Sequence, residues 1–67
     1  MQLTINDKKY ETADGAHLDT LLAELDLAAR RGLAIAVNGV VVPAANWAQY
    51  VLHDADAILV IQATQGG

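Results

Sequence analysis

The stretch HLDTLLAELD, residues 17–26, decides how the rest of the chain is read. Leu18, Leu21, Leu22 and Leu25 recur at the spacing that puts four side chains in one apolar stripe along a helix. His17 stands at the N-cap position, and Asp19 falls in the first turn, where a carboxylate suits the positive end of the helix dipole. Downstream, Arg30-Arg31 and Gly32 have the cation-then-glycine character of a helix C-terminus. The helix is therefore expected to run on to that dibasic pair. A single amphipathic helix needs a surface to cover, and the flanking sequence supplies strands.

Upstream, Met1-Gln2-Leu3-Thr4-Ile5 alternates apolar and polar residues, the period of a half-buried strand. Asn6-Asp7-Lys8-Lys9 is turn material, and Tyr10-Glu11-Thr12 resumes the strand pattern, so the chain opens with a hairpin. Asp14-Gly15 breaks it. Downstream of the helix, Leu33 to Val37 is a third strand. Asn38-Gly39 is a dipeptide that readily takes the positive φ angles of a two-residue hairpin turn, and Val40-Val41-Val42 returns as a fourth strand. Pro43 stops it, because proline offers no amide hydrogen to a ladder. AANWAQY (44–50) has room for one short helical turn with Trp47 folded beneath it. Tyr50-Val51-Leu52 reads as a short extended piece, Asp54-Ala55-Asp56 as a turn, and Ala57 to Gln62 as the last strand. The order predicts an α+β domain, a mixed sheet of four to five strands with one main helix on one face.

Composition bounds the function. Sixty-seven residues make one small domain, and folding at this size hides only about 60% of the unfolded chain's surface. There is no Cys, which excludes disulfides and cysteine-rich zinc or iron–sulfur sites. The net charge is −4 with only four basic residues. That is too few to neutralise phosphates, so a nucleic-acid partner is not expected. An acidic domain is better matched to a basic protein surface. No apolar run approaches the roughly 20 residues that span a bilayer, and MQLTINDKKY lacks the basic start and apolar stretch of a signal peptide. No membrane partner is expected, and the default location is cytoplasmic.

In Ile58-Leu59-Val60-Ile61 successive side chains point to opposite faces of the sheet. Ile58 and Val60 are assigned to the face under the helix leucines, Leu59 and Ile61 to the uncovered face. A strand apolar on both faces is ordinarily buried on both, so a partner protein is a natural cover for Leu59 and Ile61. The competing reading covers them in part with Trp47 or the N-terminal strand. Past Gln62 the apolar pattern ends. Residues 1–62 are read as the domain and residues 63–67, Ala63-Thr64-Gln65-Gly66-Gly67, as a flexible tail. Five extended residues reach roughly 17 Å, and glycines lack the Cβ that would obstruct a narrow channel. A bland reading, a linker remnant or a frayed end, also accounts for a terminal Gly-Gly by itself.

Taken together, MQLTINDKKYE, DTLLAELDL, AIAVNGVVVPAANWAQYVLHDADAILV and the terminal GG resemble the ubiquitin-like β-grasp fold, and more narrowly the ThiS-type sulfur-carrier family of bacterial thiamine biosynthesis. The resemblance covers essentially the whole chain. Its most specific parts are Val37-Asn38-Gly39 followed by Val42-Pro43, Trp47, the acidic turn, and Gly66-Gly67 at the end. It implies that a ThiF-type adenylating enzyme activates the Gly67 carboxylate with ATP. A sulfur donor protein then supplies persulfide sulfur, and the resulting thiocarboxylate serves a ThiG-type thiazole synthase. Thr64, Gln65 and Gly66 would enter the partner's active site, while Leu59 and Ile61 would dock outside it. The chain itself would be no enzyme, with no catalytic side chains, no bound cofactor and no metal. Two departures stand out. Ala55 replaces a glycine common between the two acids of the last turn, so that turn is open to a different shape. Val40 follows Asn38-Gly39 where a polar residue is common.

Other readings of the same residues are weaker. His17 and His53, far apart in sequence, have no further His or Cys to complete a metal site. Asp54 and Asp56 form either a general acid–base pair or, more simply, a turn that also gives the docking surface its charge. Asn38-Gly39 lacks the longer glycine-rich run and Lys-Ser/Thr of a phosphate loop. The alternatives to a thiamine-pathway carrier are a molybdopterin-synthase small-subunit-like carrier and a non-catalytic ubiquitin-like interaction module or protein modifier.

Overall fold

A computed structural model of the chain describes residues 1–62. Strands β1 (Gln2–Ile5) and β2 (Lys8–Glu11) form the first hairpin. Its loop is Asn6-Asp7 alone, with φ of 50° and 69°, so Lys8 and Lys9 belong to β2 rather than to the turn. Two consecutive left-handed residues match the natural twist of the strands they join. Strands β3 (Leu33–Val37) and β4 (Val40–Val42) form a second hairpin on the same plan, with Asn38 at 52° and Gly39 at 84°.

Helix α1 spans Leu18–Glu24 and ends well before Arg30-Arg31, which corrects the expected C-terminus. The stop is Asp26, at φ 61°. Its N–H donates to the Ala23 carbonyl at 3.1 Å, and the Leu27 N–H reaches back to the Leu22 carbonyl at 2.8 Å. These are the two bonds of a Schellman cap. Aspartate takes the left-handed position usually given to glycine, and Leu27 folds back onto the core. His17 occupies the N-cap position but makes no side-chain cap bond. The Leu18 N–H instead donates to the Tyr50 carbonyl at 2.9 Å, and the Leu52 N–H donates to the Ala16 carbonyl at 2.9 Å. The extended piece at 50–52 thus serves as a bracket for the start of α1.

Strand β5 (Ala57–Gln62) lies in the middle of a five-stranded sheet ordered β2-β1-β5-β3-β4. It runs parallel to β1 and antiparallel to β3, so the sheet is mixed. Leu18, Leu21, Leu22 and Ile35 are fully buried with Leu3, Val37, Leu52 and Ile58, and Leu25 and Val60 pack at the margin. The helix stripe and the inner face of the sheet close this core as the spacing predicts. A 3₁₀ helix, η1 (Ala44–Gln49), follows Pro43. Trp47 packs against the core and its Nε1–H donates to the Val42 carbonyl at 2.8 Å.

The turn before β5 keeps a left-handed residue despite the absence of glycine: Ala55 has φ 71°. A left-handed alanine costs on the order of 1 kcal/mol, and bonds on either side hold it there. The Ala55 N–H donates to the Gln2 carbonyl at 2.8 Å, and the Gln2 N–H donates to Asp54 Oδ1 at 2.8 Å.

Candidate functional site

The two faces of β5 separate as the alternation requires. Ile58 is buried, while Leu59 and Ile61 remain 47% and 51% exposed on the opposite face. The strand register places them in company. Ala36 lies opposite Leu59 on one side and opposite Val41 on the other, and Ala34 lies opposite Ile61. Val41 is 67% exposed. Leu59, Ile61 and Val41 therefore stand on an apolar outer face whose small residues, Ala34 and Ala36, leave it low in relief. A shallow hollow of ≈ 230 Å³ adjoins Leu59, bounded by Thr4, Ala36, Ala57 and the two hairpin tips at Asp7 and Gly39. Trp47 packs against the core, and β1 pairs with β5 only at Ala57 and Ile58. Leu59 and Ile61 thus stay about half exposed on that face, with Thr4 of β1 beside Leu59 across the hollow. Sequence reasoning assigned Leu59 and Ile61 to this patch; the contribution of Val41, Ala34 and Ala36 needed the register.

The acidic turn has a different use from the one expected. Asp56 is 8% exposed, and both of its carboxylate oxygens accept hydrogen bonds inside the domain. Oδ1 takes Asn38 Nδ2–H at 2.9 Å and Oδ2 takes the His53 N–H at 2.9 Å. Asn38 Oδ1 in turn accepts the Ala57 N–H at 2.9 Å. Asp56 therefore ties the β3–β4 turn to the start of β5 and is not docking-surface charge. Asp54 is exposed and bonded to Gln2. The fold also brings His17 alongside Val51, two residues from His53, a neighbourhood the sequence separation had hidden. Among the described residues no group of three His, Cys, Asp or Glu gathers at metal-binding distance.

The last two-thirds of β5 is held by residues that sequence reasoning treated as turn and helix end. Beyond Ile58 the first hairpin has turned away, and the Asn6 side chain takes its place. Asn6 Oδ1 accepts the Val60 N–H at 2.8 Å, and Asn6 Nδ2–H donates to the Val60 carbonyl at 3.4 Å. On the other side β3 pairs through Leu33 opposite Gln62, and Arg30 Nη1–H donates to Gln62 Oε1 at 3.2 Å. The expected tail residues Thr64, Gln65, Gly66 and Gly67 lie outside the described residues.

This sheet order, with one α-helix among the described residues lying against it, is the ubiquitin-like β-grasp. The family model for the ThiS family matches residues 2–67. The sulfur carrier protein ThiS of Escherichia coli K12 is 39% identical over 67 residues, covering 100% of both chains. A crystal structure of the thiamine biosynthesis protein ThiS from Geobacter metallireducens superposes with a TM-score of 0.86 at 26% identity, over 100% of each chain. A solution structure of a thiamine biosynthesis protein from the same organism gives 0.79, covering 100% of this chain and 88% of that one. The chain belongs to the ThiS family.

No helix among the described residues is long and apolar enough to cross a membrane.

Proposed function

We propose that this chain is a sulfur carrier of thiamine biosynthesis, acting in the cytoplasm as a substrate of other enzymes rather than as an enzyme itself. The observation that carries this reading is the full-length match to a ThiS relative, which extends through the terminal Gly66-Gly67. The reactive group is the α-carboxylate of Gly67. In a ThiF-type enzyme that carboxylate attacks the α-phosphorus of ATP and pyrophosphate leaves. A persulfide sulfur from a donor protein then attacks the acyl carbon and AMP departs with the oxygen. Thiol reduction of the resulting acyl disulfide leaves a thiocarboxylate, whose sulfur is nucleophilic enough to be delivered to a ThiG-type thiazole synthase.

The rest of the chain is a handle. Leu59 and Ile61 on the outer face dock against the partner, with Val41 extending the same surface, while Thr64, Gln65 and Gly66 pass into its active site. An unhindered glycine end suits both the passage and the attack. The net charge of −4 favours encounter with a basic surface.

Intact-mass measurement after incubation with ATP, a ThiF-type enzyme and a sulfur donor tests the reading. The expected product is heavier by the replacement of one oxygen by sulfur, and deletion of Gly67 abolishes it while leaving thermal unfolding unchanged. A stable isopeptide adduct on a partner lysine would make the protein a modifier instead.

A further inference from the structure

Strand β5 does two jobs in this reading: it carries the outer-face residues Leu59 and Ile61, and it leads into the reactive terminus. The part between those jobs has lost its neighbour on one side. Pairing of β1 with β5 stops at Ile5 opposite Ile58, because the first hairpin turns back at Asn6-Asp7. A strand held along only one edge frays, since its free backbone groups exchange with water. The Asn6 side chain fills that gap. Its amide carries a donor and an acceptor in the arrangement of a backbone peptide, and it uses both on Val60, 54 residues away. The Asn6 N–H also donates to the Ile58 carbonyl at 2.9 Å. One residue thus continues the ladder for a further step after its own strand has ended. Its left-handed φ of 50° is a conformation asparagine tolerates well. Arg30 braces Gln62 from the opposite side.

We propose that Asn6 is a positioning residue for sulfur loading: it keeps β5 in strand conformation from Leu59 through Ile61, so that the docking residues and the root of the C-terminal segment meet the adenylating enzyme already in register. This rests on the sulfur-carrier reading above. Without the brace, this stretch has to be ordered during docking, and ordering even one backbone residue corresponds to roughly tenfold in affinity. The loss falls on binding, because the strand is needed equally in the ground and transition states.

The informative variant is Asn6→Gly, which keeps the left-handed turn accessible while removing the side chain; Asn6→Asp retains the acceptor for the Val60 N–H. Adenylation is followed by pyrophosphate release with a ThiF-type enzyme and ATP, varying the carrier. Backbone amide exchange is measured on the free proteins by NMR. In Asn6→Gly the Val60 amide is expected to lose protection, and KM for the carrier to rise about five- to tenfold with kcat unchanged. Asn6→Asp should restore most of the KM. A purely structural role would lower the melting temperature of both variants without moving KM below the transition. Lost Val60 protection with KM within about twofold of wild type would overturn the proposal, as would retained protection in Asn6→Gly. A wild-type chain that is never adenylated would instead remove the carrier reading beneath it, and the proposal with it.

Discussion

Strand β5 shows two apolar faces of similar composition and opposite fates. Ile58 is 2% exposed beneath the helix, and its immediate neighbour Leu59 is 47% exposed on the other side. Both are branched aliphatic residues in one central strand, so hydrophobicity alone does not distinguish them. The difference lies in what the rest of the chain provides. One seven-residue helix, a 3₁₀ turn and the 50–52 bracket close over the inner face. The described residues offer no second layer for the outer one. In the proposed reading this uncovered apolar face is where a partner protein docks.

The comparison is broken most directly at Ile58. Ile58→Ala should cost about 3 kcal/mol, since it removes a buried side chain from a core with little capacity to collapse around the gap. A domain of this size has roughly 3–10 kcal/mol in total, so a melting scan should show a drop of more than about 10 °C or outright unfolding. Leu59→Asp sharpens the contrast one residue away. Its stability should stay within about 0.5 kcal/mol of wild type, while KM for adenylation rises at least about tenfold through loss of apolar contact. If Leu59→Asp unfolds the domain as Ile58→Ala does, the two faces are equivalent core.

A polar node closes the inner face near the start of β5, and it gives a smaller effect. Asp56→Ala should cost about 2 kcal/mol, because bonds to a charged acceptor are lost and the His53 N–H and Asn38 amide lose their partners. Denaturant unfolding would measure it. An unchanged midpoint would mean that water replaces the carboxylate without penalty.

The sequence made the inner face legible and hid how it is finished. The leucine stripe at 18, 21, 22 and 25 and the alternation in β1 and β5 are periodic signals, each sufficient to assign a face. The Asn38-Gly39 turn was equally clear, because two positive φ angles in succession have few residue solutions. The helix end was misread because Arg30-Arg31-Gly32 looked like a stop, whereas Asp26 was already in the left-handed region. Aspartate there is a weaker signal than glycine. The outer face was assigned through Leu59 and Ile61, but its extent depended on register that pairs Ala36 with Leu59 and Val41. The brace by Asn6 and the node at Asp56 join residues distant in sequence, through side chains whose local reading was simply a turn.

The smallest expected effect lies at the open end of the first hairpin, where the Met1 α-amine meets Asp14 Oδ1 at 2.8 Å and also donates to the Thr12 carbonyl at 2.8 Å. The hydrogen bond to Asp14 raises the amine above its ordinary value, and the same contact lowers the Asp14 carboxyl. The two signs bound a window. The carboxylate contributes above its unfolded value, about 4, and its share is lost as pH falls through the lower folded value. The amine contributes below its unfolded value, about 8, and its share is lost as pH rises through the higher folded value. Asp14→Asn should therefore reduce the melting temperature slightly at pH 6, with the difference from wild type closing in acid and at high alkaline pH. Added salt should shrink it further, since Asp14 stands in solvent where ion pairs are screened. A difference that persists unchanged from acid to alkaline pH would mean that Asp14 stabilises the start of the sheet by backbone geometry at the Asp14-Gly15 turn and not by its charge.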